Sequence, residues 1–393
     1  MRSAPAATAL GAVFLSSCPM PVGGCERRPC RQCYHRLLMV THGGNIYSIS
    51  EALRIPERKV VDFSASINPL GVSKKIKAEL RRHLKYLGNY PDPDCRRLRR
   101  HLSRHVGVTE GNIICGNGST ELIYLAVRAL KPDRVLIPAP TFSEYERAVA
   151  TSVETTQSEI RFLPLREEHD FAIDVRAFTD AMQGCRMAFL CNPNNPSAQL
   201  LPREAVSEIA SAARASSCFL VVDEAFIDFV PGGSVAAEAP ENAYLIVLRS
   251  MTKFYALSGL RLGYGVMAEE TAARLREVKE PWTVNTLAQR AGVTALKDRA
   301  YTAATFEYIG REKAFIEKGL REAGIRFYPS AVNFYLLKHP RAAEIVRTLA
   351  EKGMLLRDCS DFRGLGSGFM RIAVKAHRDN VLLIKELKRL LTG

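Results

Sequence analysis

Cys218-Phe219-Leu220-Val221-Val222-Asp223-Glu224-Ala225-Phe226 is a run of five apolar residues closed by two carboxylates and an aromatic. A continuous apolar run this short reads as a strand buried on both faces, and the polar close marks its carboxyl end. Five more such runs lie between residues 112 and 267, at 112–115, 134–138, 187–191, 244–248 and 262–267. Helical patterns separate them. Between the first two, Leu122, Ala126 and Ala129 share one helical face with Ile123, Val127 and Leu130 beside it. This alternation implies an α/β fold, with helices on both faces of a mostly parallel sheet.

Outward from this block, residues 287–323 form a long, charge-laced helical stretch. Beyond Gly324 the pattern shortens to strands at 331–337 and 368–374 and helices at 340–352 and 378–391, a small α+β unit. The expected organisation is an extension at 1–38, an N-terminal arm and small-domain segment at 39–90, a large domain at 91–286 and a linking helix with a C-terminal domain at 287–393.

The chain has 393 residues, 47% hydrophobic and 24% charged, which is ordinary globular composition. Its longest apolar runs are about five residues, against roughly 20 for a membrane-spanning helix, so no membrane partner is expected. The net charge of +14 suits an anionic ligand, but both signs are interleaved and nucleic acid is not indicated. Cys18, Cys25, Cys30 and Cys33 lie in the extension and the other six cysteines in apolar runs, a pattern that suits a reducing cytoplasm. The extension holds five arginines against Glu26. Its Leu15-Ser16-Ser17-Cys18 is weakly lipobox-like, and Cys30-x-x-Cys33 with Cys25 and His35 lacks the second ligand pair of a zinc site. No metal is expected, and a functional chain is expected to begin at Met39.

Ligands of open α/β sheets bind past the carboxyl ends of the strands. Four ends here carry reactive or anion-binding groups. Gly116-Asn117-Gly118-Ser119-Thr120-Glu121 is a glycine-rich turn opening a helix, where free N–H groups and two hydroxyls can hold a phosphate. Asn192-Pro193-Asn194-Asn195-Pro196-Ser197 follows the third run. Asp223-Glu224-Ala225-Phe226 closes the fourth. Arg249-Ser250-Met251-Thr252-Lys253-Phe254 closes the fifth, with Arg261 eight residues beyond the lysine.

In order and spacing these elements resemble the fold-type I pyridoxal-phosphate enzymes of the aspartate aminotransferase superfamily. The resemblance implies pyridoxal 5'-phosphate as cofactor, with Lys253 as its Schiff-base lysine and Asp223 facing the pyridine nitrogen. It implies Asn195 on the phenolic oxygen and Phe142 stacked on the ring. Gly118, Ser119, Thr120, Ser250 and Arg261 would hold the cofactor phosphate. Tyr90 matches a tyrosine that reaches the phosphate of the neighbouring subunit, which implies a homodimer with composite sites. Phe226 stands where many aminotransferases carry Tyr.

His42-Gly43-Gly44-Asn45-Ile46, Asp62-Phe63-Ser64-Ala65-Ser66-Ile67-Asn68-Pro69-Leu70-Gly71, Tyr90-Pro91-Asp92 and Pro281-Trp282-Thr283-Val284-Asn285 narrow the likeness. From about Thr41 to the C-terminus the chain resembles the threonine-phosphate decarboxylase family of cobalamin biosynthesis, which is similar to the histidinol-phosphate aminotransferases. This implies a small phosphorylated amino-acid substrate, its phosphate held by His42, Gly43 and Arg357 and its α-carboxylate by Arg371. Ser66 and Asn195 are the other implied substrate contacts, Ser66 standing where that family commonly has Asn. The implied reaction is decarboxylation of L-threonine O-3-phosphate to (R)-1-aminopropan-2-yl phosphate. The alternative is a histidinol-phosphate aminotransferase. A non-catalytic pyridoxal-binding regulator would need an added DNA-binding domain, and residues 1–38 show no helix-turn-helix pattern.

Overall fold

A computed structural model describes residues 43–151 and 158–392. The expected start at Met39, His42, the 15–18 motif and the N-terminal cysteines with His35 lie outside the described residues. Strand β1 (Val61–Asp62) precedes the large sheet. That sheet is built from β2 (Ile113–Asn117), β3 (Arg134–Ala139), β4 (Glu159–Pro164), β5 (Met187–Cys191), β6 (Phe219–Glu224), β7 (Leu245–Ser250) and β8 (Leu262–Met267). Its spatial order is β2-β8-β7-β6-β5-β3-β4. The strands from β4 across to β7 run parallel, while β8 runs antiparallel to both β7 and β2.

The six apolar runs expected from the sequence correspond to β2, β3, β5, β6, β7 and β8, with ends shifted by up to two residues. Alternate residues of β6 serve opposite faces: Leu220 and Val222 join one core, Phe219 and Val221 the other. The first face is covered by the helix Arg203–Ala215 through Val206, Ile209, Ala210 and Ala213. The second is covered by Gly118–Leu130, whose Leu122, Ile123 and Ala126 are fully buried.

Two features depart from the sequence reading. Strand β4 is an edge strand whose residues are half-buried or exposed, so its charged Glu159 and Arg161 break the apolar signal that marks the central strands. The long helical stretch is two helices, Thr286–Ala295 and Arg299–Glu322. Asp298 lies at the break, the N-cap position of the second helix, buried and paired with Lys75 at 3.0 Å.

After the second helix come β9 (Arg326–Phe327), β10 (Phe334–Lys338), β11 (Met354–Leu355), β12 (Arg357–Asp358) and β13 (Phe369–Ala373). Strands β12-β13-β10-β9 form an antiparallel sheet, and β11 pairs in parallel with β1. The N-terminal segment is thereby stitched to the C-terminal sheet: Phe63 N–H donates to Leu355 O and Ala373 N–H to Phe63 O, each at 2.8 Å. Helix Ala342–Glu351 packs on this sheet with Ile345 and Leu349 buried.

A buried charge cluster locks the ends of β6 and β7 behind the carboxyl edge. Arg249 lies 2.6 Å from Asp228 and 3.5 Å from Glu224, and also donates to Ser234 Oγ at 3.0 Å. Burial pushes the Glu224 carboxyl above its ordinary range, with Arg249 and two hydrogen bonds opposing. Removing one member of such a group leaves uncompensated charge in the interior. Arg249→Ala is expected to cost about 3–5 kcal/mol in denaturant unfolding; a loss under about 1 kcal/mol would show that the cluster is effectively solvated.

Candidate active site

The carboxyl ends of β2, β5, β6 and β7 lie on one edge of the sheet, and the reversed β8 begins there. Asn117 pairs with Leu262, and Ser250 with Gly263. Arg261, the residue before β8, therefore reaches the same edge as Gly118 and Lys253. These ends and the C-terminal sheet enclose a cleft of about 390 Å³. Among the sequence-derived site residues, Gly43, Ser66, Ser119, Thr120, Phe142 and Asn195 line it. So do Asp223, Ser250, Lys253, Arg261, Arg357 and Arg371.

Gly118 lies just behind the wall with φ +78°, and a Cβ there would fall 2.8 Å from Arg261 Nη2. Only glycine lets the guanidinium approach the first turn of Gly118–Leu130. The free amides of that turn, the Ser119 and Thr120 hydroxyls and Arg261 form a cradle for a dianion. Ser250 Oγ and Thr252 Oγ1, 2.7 Å apart, border it. Tyr90 is outside its own chain's cleft. It is 82% exposed and rests against Trp282, ring centroids 5.2 Å apart.

Lys253 lines the cleft half-buried, with Phe226 5.8 Å from Nζ to ring centroid. Burial, then Arg371 and Arg261, push its amine down to about 8, with Asp223 opposing. Where a tyrosine would bring a hydroxyl, Phe226 presents an apolar ring to this amine. Asp223 is buried, and burial raises its carboxyl while hydrogen bonds hold it back. Tyr145 Oη donates to Oδ2 at 2.8 Å and Ala225 N–H to Oδ1 at 3.0 Å. Tyr145 was not singled out from the sequence. Its ring is buried and stacked on Phe189 of β5 at 4.7 Å, so it reads as core until the fold brings its hydroxyl to Asp223.

The opposite wall is made by the C-terminal sheet. Arg357 of β12 and Arg371 of β13 are directly opposed residues of an antiparallel pair, and both are buried. Arg371 donates to Asn195 Oδ1 and, at 2.8 Å, to Ser64 O. Burial brings its guanidinium down to about 10, with Arg357 adding to the shift. Arg357 pairs with Asp361 at 2.7 Å and lies over Phe362. Two buried cations side by side are unfavourable unless anions reach them.

Unanticipated residues hold this wall in place. The Asp62 carboxylate accepts from Ser64 N–H, Ser64 Oγ and Ala65 N–H. Ser64 Oγ accepts from Gly44 N–H at 2.8 Å, and a Cβ on Gly43 would meet Ser64 O at 2.3 Å. Lys375 Nζ donates to Ala65 O at 2.9 Å. Asp62 and Ser64 stand in the 62–71 motif without a role of their own there, because what they hold comes from segments remote in sequence.

The residues fit the implied cofactor. The cradle suits its phosphate, Lys253 and Asp223 suit its aldehyde and ring nitrogen, and Ser66 Oγ and Arg371 Nε are buried without hydrogen-bond partners in the cleft wall. The sequence profile of the family described as "Aminotransferase class I and II" matches residues 58–390, and the chain belongs to this family of pyridoxal-phosphate-dependent enzymes. Within it, the chain is 38% identical over 356 residues to threonine-phosphate decarboxylase of Salmonella typhimurium, covering 90% of this chain and 97% of that one. The L-threonine-O-3-phosphate decarboxylase structure from Porphyromonas gingivalis superposes with TM-score 0.74 and 29% identity, over 85% of this chain and all of the other. A histidinol-phosphate aminotransferase structure from Clostridium acetobutylicum gives TM-score 0.79 and 29% identity, over 85% and 99%.

Tyr145→Phe removes a donor from a buried carboxylate, which costs on the order of 1–3 kcal/mol. The Kd for pyridoxal phosphate, read by fluorescence titration of the apoprotein, is expected to rise roughly 5- to 150-fold. An unchanged Kd would mean that Ala225 N–H alone suffices to hold Asp223.

Proposed function

We propose that the chain is a carboxy-lyase that removes CO₂ from L-threonine O-3-phosphate to give (R)-1-aminopropan-2-yl phosphate, a step of cobalamin biosynthesis. The observation that carries this reading is the cross-strand pair of buried arginines, Arg357 and Arg371, in the wall facing Lys253. A substrate with a carboxylate at one end and a phosphate at the other neutralises both. The 38% identity to the Salmonella typhimurium decarboxylase supports the same choice.

Pyridoxal 5'-phosphate bound in the cleft supplies an electron sink for bond cleavage at the substrate α-carbon. Asp223, steadied by Tyr145 and Ala225, holds a proton at the ring nitrogen. Ser119, Thr120, Ser250 and Arg261 would hold the cofactor phosphate, and Phe142 would bound the ring's place in the cleft. Arg371 takes the substrate carboxylate. Arg357, with the Gly43 backbone and His42, takes its phosphate, and Asn195 and Ser66 contact the substrate between these ends. Anchoring both ends restricts rotation about the N–Cα bond and so selects which bond at Cα breaks. After CO₂ leaves, Lys253 Nζ delivers a proton to the vacated α-carbon.

The test is to incubate the enzyme with threonine phosphate, and separately with histidinol phosphate and 2-oxoglutarate, and to identify products. CO₂ and aminopropanyl phosphate without an amino acceptor are expected. Amino transfer to 2-oxoglutarate without CO₂ would move the chain to the aminotransferase reading. In the same assay Arg357→Ala should weaken threonine phosphate by about 1.5–3 kcal/mol, the scale of a charge-assisted hydrogen bond, and affect unphosphorylated threonine far less.

The reading includes a homodimer with composite sites, in which the exposed Tyr90 reaches the cofactor phosphate of a neighbouring copy. Mixed dimers of a Tyr90 variant and a Lys253 variant should then recover activity that neither has alone. Absence of recovery, with both chains folded and paired, would rule out the shared site.

A further inference from the structure

A second cleft of about 740 Å³ lies behind the catalytic one. The turns that carry Phe226 and Lys253 continue into its wall as Ile227 with Asp228 and as Phe254 with Tyr255. One side is the helix Arg96–Val106, where His101, Arg104 and His105 share a face at i, i+3 and i+4. Facing them, from the break between the two long helices, are Lys297 and Arg299. Among the described residues, the side chains of Arg104, Lys297 and Arg299 have no hydrogen-bond or ion-pair partner. The one carboxylate of the lining, Asp228, is already bound to Arg249. Phe254 and Phe306, in tilted contact at 5.6 Å, give the cleft an apolar floor.

We propose that this cleft binds a small organic polyphosphate, of the nucleoside triphosphate class, on the cationic rim formed by Arg104, Lys297 and Arg299. Three exposed cations from two segments line one concave surface with no partner among the described residues, which raises positive potential there beyond what a single phosphate would offset. Guanidinium groups match phosphate oxygens in geometry. The aromatic floor suits an organic body, and inorganic phosphate chains cannot use it. None of these residues takes part in the catalytic cleft, so the site does not depend on the identity of the reaction.

Isothermal titration of the cofactor-loaded enzyme with ATP and with inorganic pyrophosphate tests this. Saturable binding of one ATP per chain is expected, tighter than pyrophosphate, and weakened at least tenfold in Arg104→Ala/Lys297→Ala with an unchanged thermal midpoint. Arg357→Ala should leave it unaltered. No saturable ATP binding, equal affinity in the double variant, loss in Arg357→Ala or ATP no tighter than pyrophosphate would each overturn the assignment.

Discussion

An amine partly withdrawn from water among guanidinium groups is the constraint on which the catalytic cleft depends. Lys253 is pushed down to about 8 by burial first, then by Arg371 and Arg261. Asp223, on the neighbouring strand, is the counterweight: burial raises its carboxyl, and the hydrogen bonds from Tyr145 and Ala225 oppose that rise. Each of these groups would be costly alone. Together they make a site that carries more positive charge than its own carboxylates offset at Arg371 and Arg261, with Asp223 turned toward the cleft floor. A phosphorylated ring cofactor and a doubly anionic substrate would supply the offsetting negative charge.

The fold makes this grouping possible by one reversal. If β8 ran parallel to its neighbours, Arg261 would enter at the opposite edge of the sheet, away from Gly118 and Lys253. The antiparallel β8 instead brings it to the carboxyl edge, where its guanidinium meets the first turn of the helix Gly118–Leu130. The second wall depends on another long-range link. Pairing of β1 with β11 sets the 62–66 loop against β13, and Asp62 then folds that loop so that Ser64 meets both Arg371 and Gly44.

Much of this was legible in the sequence because the central strands announce themselves. Runs such as 187–191 and 218–222 are buried on both faces, so every residue is apolar, and the reactive residues follow at the strand ends. The edge strand β4 escaped because its burial is partial. The break falls at Asp298, the N-cap position of the second helix, which also pairs with Lys75, more than 200 residues away. In the site, most residues in motifs were found, whereas Tyr145 and Lys375 were not, and Asp62, though it opens the 62–71 motif, carried no role there. Their roles are to hold other residues, and such roles depend on contacts between segments that share no local pattern. Helix Arg96–Val106 illustrates the same limit: its basic character is plain in the sequence, but that it lines one cleft with Lys297 and Arg299 is not.

The claim that the buried setting of Lys253 makes it reactive can be tested on the residue itself. With an amine near 8 rather than the ordinary 10.5, roughly a tenth of Lys253 is neutral at pH 7, against well under 0.1% for an exposed lysine. The direct measurement is the rate at which the apoprotein captures pyridoxal phosphate between about pH 6 and 11, followed by the absorbance of the lysine-bound cofactor. The account predicts a rise centred near pH 8. A rise centred near 10.5 would mean that Lys253 is solvated and that the cleft does not tune it.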